Sequence, residues 1–263
     1  MSIVGVSAYV HCRCWKDGLA PAPPVGPVGF DEDGRLGLLE PWSRETANAH
    51  GHVEHWLEHG CPHDDMQIHR EEIGSWAGIR IFQQALRAAG AADFPVLLRY
   101  LPETNDGWIP ADEVPRVLAE LDHFENGARL ADEVVLVDEA SGDALHSYVA
   151  SHGGVFIWGR DHHIGVDPAG FFVLDRTTEL PGTLFRAARF EQRVLPGGEL
   201  ELTGEGQSVR LAMTPIANYL PTPPQRLTIQ VRPRSAADFD HLLGMLRRLC
   251  AAALSTDNPI HWI

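Results

Sequence analysis

The sequence predicts an α+β fold: a helical N-terminal half preceded by one strand, an antiparallel β-sheet in the C-terminal half, and a closing C-terminal amphipathic helix. Three observations predict it. Helical apolar periods bounded by capping residues fill the chain up to about residue 127. Short apolar runs separated by turn formers follow. The strand–helix–strand alternation that a doubly wound parallel sheet requires is missing. Residues 1–263 read as a single domain with a soft internal boundary near 128, which separates a strand plus helices (1–127) from a sheet plus the last helix (128–263).

The first element is a strand over residues 3–15. A period of two puts Val4, Val6, Ala8, Val10, Cys12 and Cys14 on one face and Ser7, Tyr9, His11 and Arg13 on the other. Residues 18–29 are rich in Pro and Gly and read as an ordered loop or a flexible lid. Residues 30–39 carry the turn Asp31-Glu32-Asp33-Gly34 and then a short apolar strand. A helix is predicted over 44–58 with Gly60 as its C-cap, and a second over 73–89 ended by Gly90. Residues 94–101 are short and apolar, 102–107 form a loop, and a third helix spans 112–124 between Pro110 and Gly127.

Beyond Gly127, apolar runs lie at 134–137, 144–150, 155–158, 171–174, 183–190, 199–202 and 209–213. Turn signals such as Ser141-Gly142, Gly153-Gly154 and Pro196-Gly197-Gly198 separate them, which is the pattern of an antiparallel sheet. Residues 227–231 alternate as a strand. Residues 236–254 form an amphipathic helix with Ser235 as N-cap and Leu242, Leu243, Leu246, Leu249 and Cys250 inward. Trp262, one residue from the end, predicts that the tail docks on the body.

A chain of 263 residues can bury a full core, so it needs neither a disulfide nor a metal merely to fold. Its 21 Lys and Arg against 36 Asp and Glu leave a net charge of −15. Such a surface repels phosphate backbones and anionic lipids, so neither nucleic acid nor membrane is expected as a partner. A basic protein or a small molecule fits better. The sequence has no apolar run of membrane-spanning length and no signal-like start, and a cytoplasmic location is expected. No P-loop, G-x-G-x-x-G, G-x-S-x-G or H-E-x-x-H occurs.

Seven of the fourteen histidines fall within residues 1–70. Cys12 and Cys14 share a strand face, and Cys61 and His63 follow a helix end. Together they offer a Cys₃His set that suits tetrahedral zinc, with iron or copper as alternatives. The competing reading makes Cys12 and Cys14 small core residues of a buried strand. His52, His55 and His59 line one helix face, as a solvated surface or as metal donors. His11, His55, His59 and His261 are weaker metal candidates. His162-His163 reads as a surface turn. Asp64, Asp65, Glu71 and Glu72 read as an acidic helix start, or as groups that orient ligand imidazoles.

The stretch His50-Gly51-His52-Val53-Glu54-His55 resembles the first metal motif of the metallo-β-lactamase superfamily, with Glu54 where that family has Asp. The resemblance implies zinc-dependent hydrolysis of esters, amides or thioesters, with His50, His52 and His55 as ligands.

Two functions follow. The first is a cytoplasmic, acidic, metal-binding protein, with zinc expected, that acts as a binding or interaction module. The alternative is a metal-dependent hydrolase or lyase, in which three protein ligands leave one position open for water.

Overall fold

The computed structural model describes residues 5–104, 106–178 and 182–263. The chain is α+β, and its sheets are antiparallel. It forms two compact units, Met1–Arg129 with Ser235–Ile263, and Leu130–Arg234. The second is inserted between two helices of the first, so the closing helix and tail return to the unit in which the chain began.

In the first unit, β1 (Gly5–His11), β2 (Val28–Phe30) and β3 (Leu36–Leu38) precede α1 (Ala47–His59). Then come β4 (Gln67–Ser75), α2 (Trp76–Gly90), α3 (Pro95–Tyr100), β5 (Trp108–Ile109) and α4 (Val114–Gly127). In the second unit are β6 (Glu133–Asp138), β7 (Ala144–Ser147), β8 (Val155–Trp158), β9 (His162–Asp167), β10 (Gly170–Asp175) and β11 (Thr183–Ala187). It continues with β12 (Arg189–Val194), β13 (Leu200–Gly204), β14 (Gln207–Leu211) and β15 (Arg226–Arg232). The chain ends in α5 (Asp240–Thr256) and β16 (Ile260–Trp262), both in the first unit.

The first unit is built on a sheet of order β4-β1-β16-β5. Its two inner strands are the first and last of the chain, with Tyr9 opposite His261. Trp262 is fully buried and its indole donates to the Tyr100 carbonyl at 2.9 Å. The tail docks, as its tryptophan predicts, by becoming a central strand. Beside the sheet, Phe82, Phe124 and Phe239 meet edge-on or tilted, with centroids 5.1–5.5 Å apart. Ser235 and Asp238 form a reciprocal capping box ahead of α5.

The second unit holds two sheets, of order β11-β10-β9-β8 and β14-β13-β12-β15-β6-β7. Its core gathers Leu136, Ile164, Val166, Phe171, Val173, Phe185, Phe190 and Leu227.

Several element boundaries differ from the sequence reading. The first strand stops at His11, and the part of it at Ile3 and Val4 lies outside the described residues. Residues 73–75 are not helical: Gln67–Ser75 is a strand, and α2 starts at Trp76 behind Ser75, whose hydroxyl accepts from the Gly78 amide. That strand carries Glu71 and Glu72, which are therefore not a helix start. Its only buried residue after Met66 is Ile73, so it has no apolar alternation to read; pairing with β1 decides it. Residues 94–101 are mostly helix, opened by Pro95, with the amides of Val96 and Leu97 capped by the buried carboxylate of Glu120. His162-His163 opens strand β9 and is no turn. Residues 183–190 divide into two strands that end at Ala187 and begin at Arg189.

Candidate metal centre

The site begins where β1 ends. Past His11 the chain turns, with the Asp17 amide on the Arg13 carbonyl and the Leu19 and Ala20 amides on the Cys14 carbonyl. Cys12 and Cys14 therefore project from this turn and not from a strand, although both are buried as the period-two reading requires. Its backbone is tied to a second turn, since the Cys12 amide donates to the Met66 carbonyl at 2.7 Å.

That second turn carries Cys61 and His63. Gly60 caps α1 with φ −76°, which any residue can adopt. What demands glycine here is space: a Cβ would sit 2.6 Å from both the Met66 methyl and the Trp56 carbonyl oxygen. Just beyond His63, Asp65 and Met66 hold positive φ of 50° and 53°. Such conformations cost roughly 1–3 kcal/mol each and persist only where their surroundings fix them. Here the Met66 side chain is fully buried, its amide reaches the His63 carbonyl, and its carbonyl takes the Cys12 amide.

The two turns bring four donor atoms together. Cys12 Sγ lies 3.7 Å from Cys61 Sγ, Cys14 Sγ 3.5 Å from His63 Nδ1, and Cys61 Sγ 3.6 Å from the same nitrogen. All four lie within 4.8 Å of one another. A tetrahedral ion about 2.3 Å from sulfur and about 2.0 Å from nitrogen sets edges of about 3.8 Å between sulfurs and about 3.5 Å from sulfur to nitrogen. The three separations fall on these edges. The cysteines are free thiols, and 3.7 Å is far from the sulfur separation of about 2.05 Å in a disulfide. Burial pushes the Cys12 thiol up to about 12 and raises Cys14 as well, so without a cation both stay protonated. A bound cation reverses that balance, because it stabilises thiolate directly. The cluster could hold a metal.

An apolar shell surrounds it. Cys12 and Cys14 belong to a small core with Leu38, Val53, Trp56 and Met66, against which Trp15, Ala20, Val25 and Val28 pack. The Pro/Gly-rich segment is thus ordered over this core, and Trp56 donates its indole N–H to the Pro21 carbonyl at 2.9 Å. Both readings of Cys12 and Cys14 meet here: they are core residues, and their sulfurs converge with two further donors.

Sequence reasoning missed Asn258. Its fully buried carboxamide donates to the carbonyls of His11 and Cys12, and Lys16 donates to its oxygen at 2.7 Å. Nothing local to Asn258 signals this role, because its two carbonyl partners lie more than 240 residues away.

The remaining candidates stand apart from this cluster. His261 is buried in β16, tilted on Tyr9 at a centroid distance of 5.1 Å, and both its ring nitrogens lack partners. His11 faces Tyr9 and Phe30, with Nδ1 3.4 Å from the Met66 carbonyl. Among the described residues, neither joins a group of donors as close as the Cys₃His set. His55 and His59 form a separate, exposed group with Glu58 on α1. Asp64 and Asp65 sit in a short 3₁₀ turn, and Glu71 bridges His69 and Arg248.

The metallo-β-lactamase resemblance does not carry into three dimensions. His50 and His52 lie on α1, as His55 does, and His50 Nε2 is 3.0 Å from the Glu40 carbonyl. Among the described residues these three do not gather as a ligand set. A groove of 710 Å³ in the second unit, lined by Arg193, Glu201, Pro224 and Arg226 among others, contains none of the candidate ligands. No helix among the described residues is long and apolar enough to cross a membrane. No family model matches the chain, and no curated protein or solved structure is significantly similar to it.

Proposed function

We propose that this protein is a zinc-binding interaction module. An ion held by Cys12, Cys14, Cys61 and His63 staples the turn after β1 to the turn after α1. One observation carries this reading: the donor separations of 3.7, 3.5 and 3.6 Å are those of a tetrahedral thiolate–imidazole site. A set of three sulfurs and one nitrogen favours zinc over a harder ion, with iron or copper(I) as the competing soft choices. Four protein donors fill the coordination sphere, which supports a structural role over a hydrolase or lyase that keeps one position for water. The net charge of −15 supports a basic protein as partner. Free thiols accord with the reducing cytoplasm.

Metal analysis of untagged protein tests the centre. The expected result is one tightly held equivalent of zinc, most of it lost in each of Cys12→Ser and Cys61→Ser. Full occupancy in both variants would overturn the assignment. Cobalt substitution separates the two roles: a three-sulfur, four-ligand spectrum fits the staple, and a water ligand fits the enzyme.

A further inference from the structure

We propose a second, exposed metal site on the last two turns of α1, made by His55, His59 and Glu58, which takes a labile divalent cation of the zinc, nickel or copper(II) type. His55 and His59 are four residues apart, so the helix stacks them on one face, with ring centroids 4.3 Å apart. One donor atom from each of His55, Glu58 and His59 lies within 4.8 Å of the others. Long exposed side chains close that span by rotation, without backbone movement.

The hydrogen bonding of His59 suits ligation. Its Nδ1 lies 3.0 Å from the His55 carbonyl oxygen, and an oxygen of this kind can only accept, so Nδ1 carries the proton. That fixes the tautomer in which Nε2 presents its lone pair to solvent, the arrangement by which a backbone carbonyl orients a ligand imidazole. The exposed Glu58 carboxylate, one of the three donors that lie within 4.8 Å of one another, supplies a harder donor and negative charge. The site also lies at the C-terminal end of the helix, where the unpaired carbonyls attract a cation. Two imidazoles and a carboxylate match borderline divalent ions, and the open solvent side leaves the rest of the coordination shell to water. The site shares no residue with the buried cluster and stands whether or not that cluster holds zinc.

The test is titration of metal-stripped, untagged protein with Zn²⁺ alone, followed by competition with a chromophoric chelator. Wild type is expected to bind an equivalent that the chelator removes readily, beside the one held by the cysteines. The double variant His55→Ala, His59→Ala should lose the labile equivalent and keep its circular dichroism and melting temperature, because both side chains are exposed. Cys61→Ser should lose only the tight equivalent, so failure of the buried centre and failure of the surface site are read separately. Labile binding that is unchanged in the double variant, or absent from wild type, overturns the proposal.

Discussion

The carboxamide nitrogen of Asn258 donates to the backbone carbonyl of Cys12 at 3.0 Å, and to that of His11 at 2.7 Å. The tail of the chain thus fixes the turn that aims two of the four candidate ligands. Asn258→Ala is expected to leave two buried carbonyls without this donor and to cost about 2 kcal/mol, since an orphaned buried acceptor loses its full solvation. Denaturant unfolding measures the loss. A parallel chelation assay should show faster release of the metal from the variant, and unchanged release would show that the clamp does not reach the ligands.

Trp56 and Pro21 connect the proline-rich segment to the same core. Trp56→Phe keeps most of the packing and removes the indole donor, at an expected cost of about 1 kcal/mol. Deleting residues 21–27 should leave the fold standing and make the metal easier to chelate. Identical chelation kinetics in the deletion variant would count against a covering role for this segment.

His261 is expected to act by packing. Both ring nitrogens are buried without partners, and burial, aided by the Arg35 charge, holds its pKa below the ordinary imidazole value. Replacing an unsatisfied polar ring with an apolar one of similar shape is often neutral or stabilising. His261→Phe should therefore keep full metal content and a melting temperature equal to or above that of wild type. Loss of the metal in this variant would reassign His261 to the site.

Acid should weaken the second unit through His146, which stacks on Phe156 at 3.9 Å and is held by burial at a pKa of about 4. The unfolded imidazole titrates near 6.5 and the folded one only near 4. As pH falls through 6.5 the unfolded chain takes up the proton first, so stability declines between about 6.5 and about 4 and levels off below. The contribution is at most about 3 kcal/mol. His11, also lowered to about 4 by burial, acts over the same window in the first unit. His146→Phe should flatten its share of the slope between pH 7 and pH 5 in urea unfolding. An unchanged slope would show that His146 is not the group responsible.

The sequence by itself determined the α+β class, the burial face of Val6, Ala8, Val10, Cys12 and Cys14, the capped helix behind Ser235, and the residue types of the Cys₃His set. These rest on local periodicity, turn chemistry and donor chemistry, which neighbouring residues specify between them. Tertiary structure alone decided that Gln67–Ser75 is a strand, because its exposed, charged alternation has meaning only once β1 lies beside it. It decided that the tail is the strand between β1 and β5, which closes the sheet through residues at opposite ends of the chain. It also decided that sulfurs 49 residues apart lie at 3.7 Å while the compact histidine motif His50, His52 and His55 is spread around the circumference of α1. The C-x-C and C-x-H spacings show which donors are available, and folding decides how far apart the two turns hold them. Here two turns carry the donors: the backbone bond from Cys12 to Met66 ties one turn to the other, and Asn258 clamps the first.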